Sequence, residues 1–83
     1  MTCVRLIDDN VERGDVLWAR RNPGGGSMSV ISVNRLVGYI GENRLVVPCG
    51  CDGARGVREG ELIVEYVMGN MAFCEQYAVA VGA

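Results

Sequence analysis

The apolar runs of this chain are short, and Gly, Asn, Asp or Pro interrupts them roughly every 8–12 residues. Val is the most abundant residue, and its branched side chain stiffens the backbone toward extended conformations. Residues 2–7, 16–21, 28–33, 35–40, 44–48 and 61–67 read as strands, and residues 71–81 as one long strand or two. Residues 71–76 would also suit the start of a helix, since their side chains favour one. A flat sheet built from such pieces would leave one apolar face in water, and closing it buries that face. The expectation is an all-β domain over residues 1–83: a small SH3-like or OB-like barrel of about five to six short strands.

Turn chemistry supplies the corners. The segment Glu12-Arg13-Gly14-Asp15 reads as a turn; its middle letters spell the cell-adhesion tripeptide, but a turn between strands explains them. Residues 22–27, Asn-Pro-Gly-Gly-Gly-Ser, form a flexible connection with no helix after it and no phosphate-loop lysine. Gly41-Glu42-Asn43 predicts a hairpin joining residues 35–40 to 44–48. Gly38 marks a bulge or sharp bend inside the first arm. The Gly-rich stretch 49–60 reads as a loop. Along 61–67, Leu62, Val64 and Tyr66 are assigned to one face, with Glu61, Ile63 and Glu65 on the other.

What is missing narrows the chemistry. The positive charges number 8, all of them Arg, with no Lys and no His, and the net charge is −2. Lack of His removes the usual general base near neutral pH and every Ser-His or Cys-His pair. Lack of Lys removes Schiff-base chemistry. An acidic total does not favour nucleic acid as a partner. A local basic patch is still expected where Arg20 and Arg21 adjoin the Gly-rich connection and Arg35 and Arg44 sit on the neighbouring hairpin. These four arginines are the candidate partner-binding residues, and no catalytic residue is assigned.

Four cysteines, Cys3, Cys49, Cys51 and Cys74, include a single close pair with one residue between them. Zinc sites use pairs spaced by two to four residues, so free and mostly buried thiols are the default, with a zinc site the open alternative. Asp8 and Asp9 could hold a hard cation, but adjacent carboxylates on a turn are usually solvated. No metal or other cofactor is assigned. No apolar run approaches the roughly 20 residues of a membrane helix, and no signal-like segment opens the sequence, so a cytoplasmic location without membrane contact is expected.

Three islands carry a resemblance. Arg13-Gly14-Asp15-Val16-Leu17-Trp18 followed by Asn22-Pro23 and Gly26-Ser27, then Leu45-Val46-Val47-Pro48, then Ala72-Phe73-Cys74-Glu75-Gln76 resemble, in order, segments of the MazF/PemK-type toxins. That resemblance implies an SH3-like barrel, a dimer and metal-independent RNA cleavage. The sequence departs from the family where activity resides: no Arg precedes Met28-Ser29-Val30-Ile31, and Cys49-Gly50 stand where the family has Thr. Two functions are therefore expected in order. The first is a small acidic non-catalytic module that engages a protein partner, as an inhibitor or regulator of the kind mobile elements encode, and that forms a homodimer through an exposed strand edge. The second is an RNA-cleaving toxin of that family or a degenerate relative.

Overall fold

The computed structural model describes residues 1–41 and 53–76. Among them lie β1 (Thr2–Leu6), β2 (Val16–Arg21), β3 (Met28–Ser32), β4 (Arg35–Ile40), β5 (Gly60–Met68) and β6 (Met71–Glu75), with a 3-10 turn at Ala54–Gly56 before β5. All neighbours are antiparallel, and the order β1-β4-β3-β2-β5-β6 closes on itself as a barrel. The all-β barrel expected from the spacing is the fold. Residues 71–75 are strand, which settles the open choice against a helix. The expected arm 44–48 lies outside the described residues, and the side of Gly38 and Tyr39 away from β3 is taken by β1.

Alternation sends one side of each strand inward. Val4, Leu6, Leu17, Ala19, Met28, Val30, Val37, Ile40, Leu62, Val64, Ala72 and Cys74 make a continuous aliphatic core, with Val67 packed against it. Ala54 and Val57 plug the end where β2 finishes, and Val11 fills the other. The buried positions include no aromatic side chain among the described residues.

Two bulges reset the alternation. On β4, Val37 is the extra residue between the pairs Val30↔Gly38 and Ile31↔Leu36. It turns Val37 inward and Leu36 outward. On β5, Glu65 is the extra residue between Val64↔Cys74 and Tyr66↔Phe73. The expected inward place of Tyr66 is therefore corrected: Tyr66 faces out, and Val67 packs inward instead. Bulges of this kind raise local twist, which a small barrel needs in order to close.

Gly38 is the tightest point of closure. A Cβ there would overlap the main-chain oxygen of Arg5 and lie 2.9 Å from Val4 Cγ1. Only glycine lets β1 approach β4 this closely.

Each described strand has a hydrogen-bonded neighbour on both sides. The β1–β4 seam has the fewest pairs among the described strands, with only Arg5 and Leu6 of β1 paired to β4. Among the described residues no helix is long and apolar enough to cross a membrane.

Candidate binding face

The arginines expected to form one patch are not gathered. Arg20 and Arg21 are adjacent on β2, so their side chains leave opposite sides of the sheet. Arg21 reaches over the barrel end and donates to the main-chain oxygens of Ala54 (3.3 Å) and Val57 (2.8 Å). Its role is to hold the 3-10 turn in place. Arg35 sits at the far end of β3 from Arg21, opposite Ser32 rather than Met28. Its Nε lies 3.3 Å from Asp8 Oδ2. Arg44 lies outside the described residues. Of the three that are described, Arg20 alone stands exposed on the outer face with no structural partner among the described residues.

The other singled-out segments also serve the fold. Asp8 Oδ1 accepts from the Asn10 amide at 2.8 Å, closing a local turn. Asp15 Oδ2 accepts from the Glu12 amide at 2.9 Å, and the Gly14 amide donates to Val64 at 2.8 Å, so the Gly-Asp turn is docked on β5. The connection 22–27 is bonded internally: Ser29 Oγ donates to Asn22 Oδ1 at 2.6 Å, Asn22 Nδ2 donates to Ser27 Oγ at 3.2 Å, and the Gly25 amide is used by Asn22. Gln76 exchanges hydrogen bonds with the main chain of Arg58, so it anchors the lead into β5.

The cysteine expectation is corrected in part. Cys3 is disulfide-bonded, whereas Cys74 is a free, buried thiol. A disulfide sulfur is no thiolate ligand, so Cys3 does not contribute to a zinc site. Burial pushes the Cys74 thiol up to about 12, with the Glu65 and Glu75 carboxylates adding to the shift. A thiol so placed is an inert core group.

The outer surface carries the feature that the sequence reading missed. Every aromatic side chain among the described residues points outward: Trp18, Tyr39, Tyr66 and Phe73. Trp18 is 49% exposed and Tyr39 is 40% exposed. Strand register arranges them in rows. Trp18 faces Ile31, and Ile31 faces Leu36, which makes an apolar row across β2, β3 and β4. The next row runs Arg20–Ser29–Tyr39–Arg5 across β2, β3, β4 and β1. Directly opposed side chains on neighbouring strands sit about 4.5–5.5 Å apart at Cβ, so these rows form one continuous surface. The signal lay in β2, where buried Leu17 and Ala19 alternate with exposed Val16, Trp18 and Arg20.

The outward surface continues onto β5 and β6, where Glu61 is paired with Trp18 and Ile63 with exposed Val16. Tyr66 stacks on Phe73, with ring centroids 4.5 Å apart and planes 11° from parallel. Ile63 is paired with Glu75 and flanked on its own strand by Glu61 and Glu65.

Beside the start of the β1–β2 connection, Leu6, Asp8, Asp9, Val67, Gly69 and Asn70 line an open cleft of about 290 Å³. Asp8 there is already engaged by Asn10 and Arg35. No family model matches this chain, and neither does any curated protein or solved structure.

Proposed function

We propose that this chain is a small non-catalytic binding module that acts by engaging a protein partner through the outer face of β2, β3 and β4. One observation carries the reading: Trp18, Ile31, Leu36 and Tyr39 form a contiguous outward surface bordered by Arg20, Arg5 and Glu61. Trp, Tyr and Arg with aliphatic neighbours, and few carboxylates, is the composition of protein–protein interface centres. The exposed aliphatic side chains favour a protein over a nucleic acid, whose recognition would draw on more cations than Arg5 and Arg20. Acting as an inhibitor or regulator needs nothing beyond occupying such a surface.

Affinity capture from cells that make the protein tests this reading, comparing wild type with the Trp18→Ala/Tyr39→Ala double variant. A bound protein should be lost from the variant by at least about thirtyfold, the scale of a central aromatic anchor. An identical set of bound proteins in both would sink the reading.

RNA cleavage, the alternative, rests on the MazF/PemK resemblance. It would require arginines converging on one phosphate, whereas Arg21 is engaged by the 3-10 turn and Arg35 by Asp8. The expected cytoplasmic location sits poorly with a disulfide at Cys3, because such bonds persist in oxidising compartments.

A further inference from the structure

Trp18 stands between opposite charges on one continuous surface. Glu61 lies directly across from it on β5, and Arg20 follows two residues along β2. Both charged side chains are exposed, and among the described residues neither has an ion-pair partner. As diagonal neighbours on adjacent strands they sit about 7–8 Å apart at Cβ.

The surrounding side chains divide along the same diagonal. With strands about 4.8 Å apart and about 6.8 Å for every two residues, the line bisecting the Arg20–Glu61 diagonal crosses the Trp18–Ile31 pair. Arg20, Ser29 and Tyr39 fall on one side of it, and Glu61, Val16 and Ile63 on the other. A half-turn about that line lays Arg20 of one copy against Glu61 of another, and Glu61 against Arg20. The same half-turn sets exposed Tyr39 over exposed Val16 and brings the two Trp18 rings together. Three adjacent strands, β5, β2 and β3, carry the centre of the patch, so barrel curvature does not turn its members apart.

We propose that two copies of this chain pair face to face about this axis, with Trp18 at the centre and an Arg20–Glu61 ion pair on either side. This rests on reading the Trp18 face as a protein-binding surface, and it names the occupant as a second copy. Apolar contact supplies the affinity, while the two ion pairs fix the docking angle and disfavour registers in which like charges meet. One patch serves both copies, so the contact is isologous and closes as a dimer.

Sedimentation of the purified full chain, raised in steps to about 1 mM, tests the proposal. The mean mass should climb from the monomer toward the dimer and stop there. Emission of Trp18, the single Trp of the chain, should move to shorter wavelength over the same range.

Arg20→Glu and Glu61→Arg should each lose more than about tenfold in dimerisation constant, because each replaces two ion pairs by two like-charge contacts. The two variants mixed together should form a mixed dimer. Arg20→Glu/Glu61→Arg in one chain should recover to within about threefold of wild type. Circular dichroism checks that each variant folds, and the wild-type series stands without them.

A wild type that stays monomeric throughout overturns the proposal. So does growth beyond a dimer, or a charge-swapped double variant no better than the single ones. A monomeric wild type would leave the protein-partner reading to the capture comparison, which does not depend on self-association.

Discussion

The guanidinium of Arg21 donates to the main-chain oxygen of Val57 at 2.8 Å, tying the last residue of β2 to the segment that plugs the barrel. A second bond reaches Ala54, whose own amide donates to Gly41 at 2.8 Å. Ala54 and Val57 are buried; the Ala54 oxygen also accepts from the Val57 amide at 3.2 Å, so it is the Val57 carbonyl that Arg21 keeps satisfied away from water. Arg21→Ala should therefore destabilise the fold by about 1.5–3 kcal/mol, the scale of hydrogen bonds to a charged donor. Arg21→Lys should recover only part of this, because both bonds leave the terminal Nη2 of a planar guanidinium, whose fixed N–H directions a flexible ammonium does not reproduce. Urea denaturation reads the result, and an unchanged midpoint for Arg21→Ala would deny the anchoring role.

Gly38 meets β1 where a side chain has no space. Gly38→Ala would drive a methyl group into the Arg5 main-chain oxygen, and backbone yields less readily than a side chain. The expected cost is about 1–3 kcal/mol, as for other overpacked sites. It should appear as a lower denaturation midpoint, with faster hydrogen exchange concentrated in β1 and β4. Uniform exchange changes across the barrel would place the damage elsewhere.

Val33 turns the β3–β4 hairpin with φ of 59° while being 98% exposed. A β-branched residue in the left-handed region carries strain of about 1–2 kcal/mol, and no packing contact offsets it. Val33→Gly removes that strain and gives back about 0.5–1 kcal/mol through the greater entropy of the unfolded chain. A net gain of about 0.5–1 kcal/mol should raise the thermal midpoint by a few degrees. A lower midpoint would contradict the strain argument.

Cys74 makes stability sensitive to alkali. Its ordinary value is 9.0, and burial, followed by Glu65 and Glu75, raises it to about 12 in the folded chain. Between those values the unfolded chain has released a proton that the folded chain keeps. Stability present below about pH 9 is thus lost as pH rises through that window. Denaturation of wild type and Cys74→Ala at a series of pH values checks this. The variant should show a slope shallower by up to about 1.4 kcal/mol per pH unit across the window. Parallel slopes would show that the thiol does not titrate with unfolding.

Strand existence was readable because a two-residue period and Gly, Asn, Asp or Pro punctuation are local properties. The spans 16–21 and 35–40 match β2 and β4. The apolar pattern carries Val33 into the strand, whereas it turns the chain, because pairing of Ser32 with Arg35 leaves only Val33 and Asn34 for the hairpin. Tyr66 and Leu36 escaped the alternation rule for a related reason. A bulge is set by the partner strand and by the twist of closure, and neither appears in a single strand's letters.

The candidate face was less legible than the fold. Arg20, Arg21 and Arg35 lie close in sequence, but strand alternation and the length of β3 separate them, so sequence proximity overstated the patch. The chain's own residues determined that it would form short strands with an aliphatic inner side, and that His and Lys chemistry would be absent. Tertiary structure alone decided that Trp18, Ile31, Leu36 and Tyr39 would share one surface, and that Glu61 of β5 would stand beside Trp18 of β2. The physical reason is that cross-strand neighbours are chosen by register and strand order, which only barrel closure fixes.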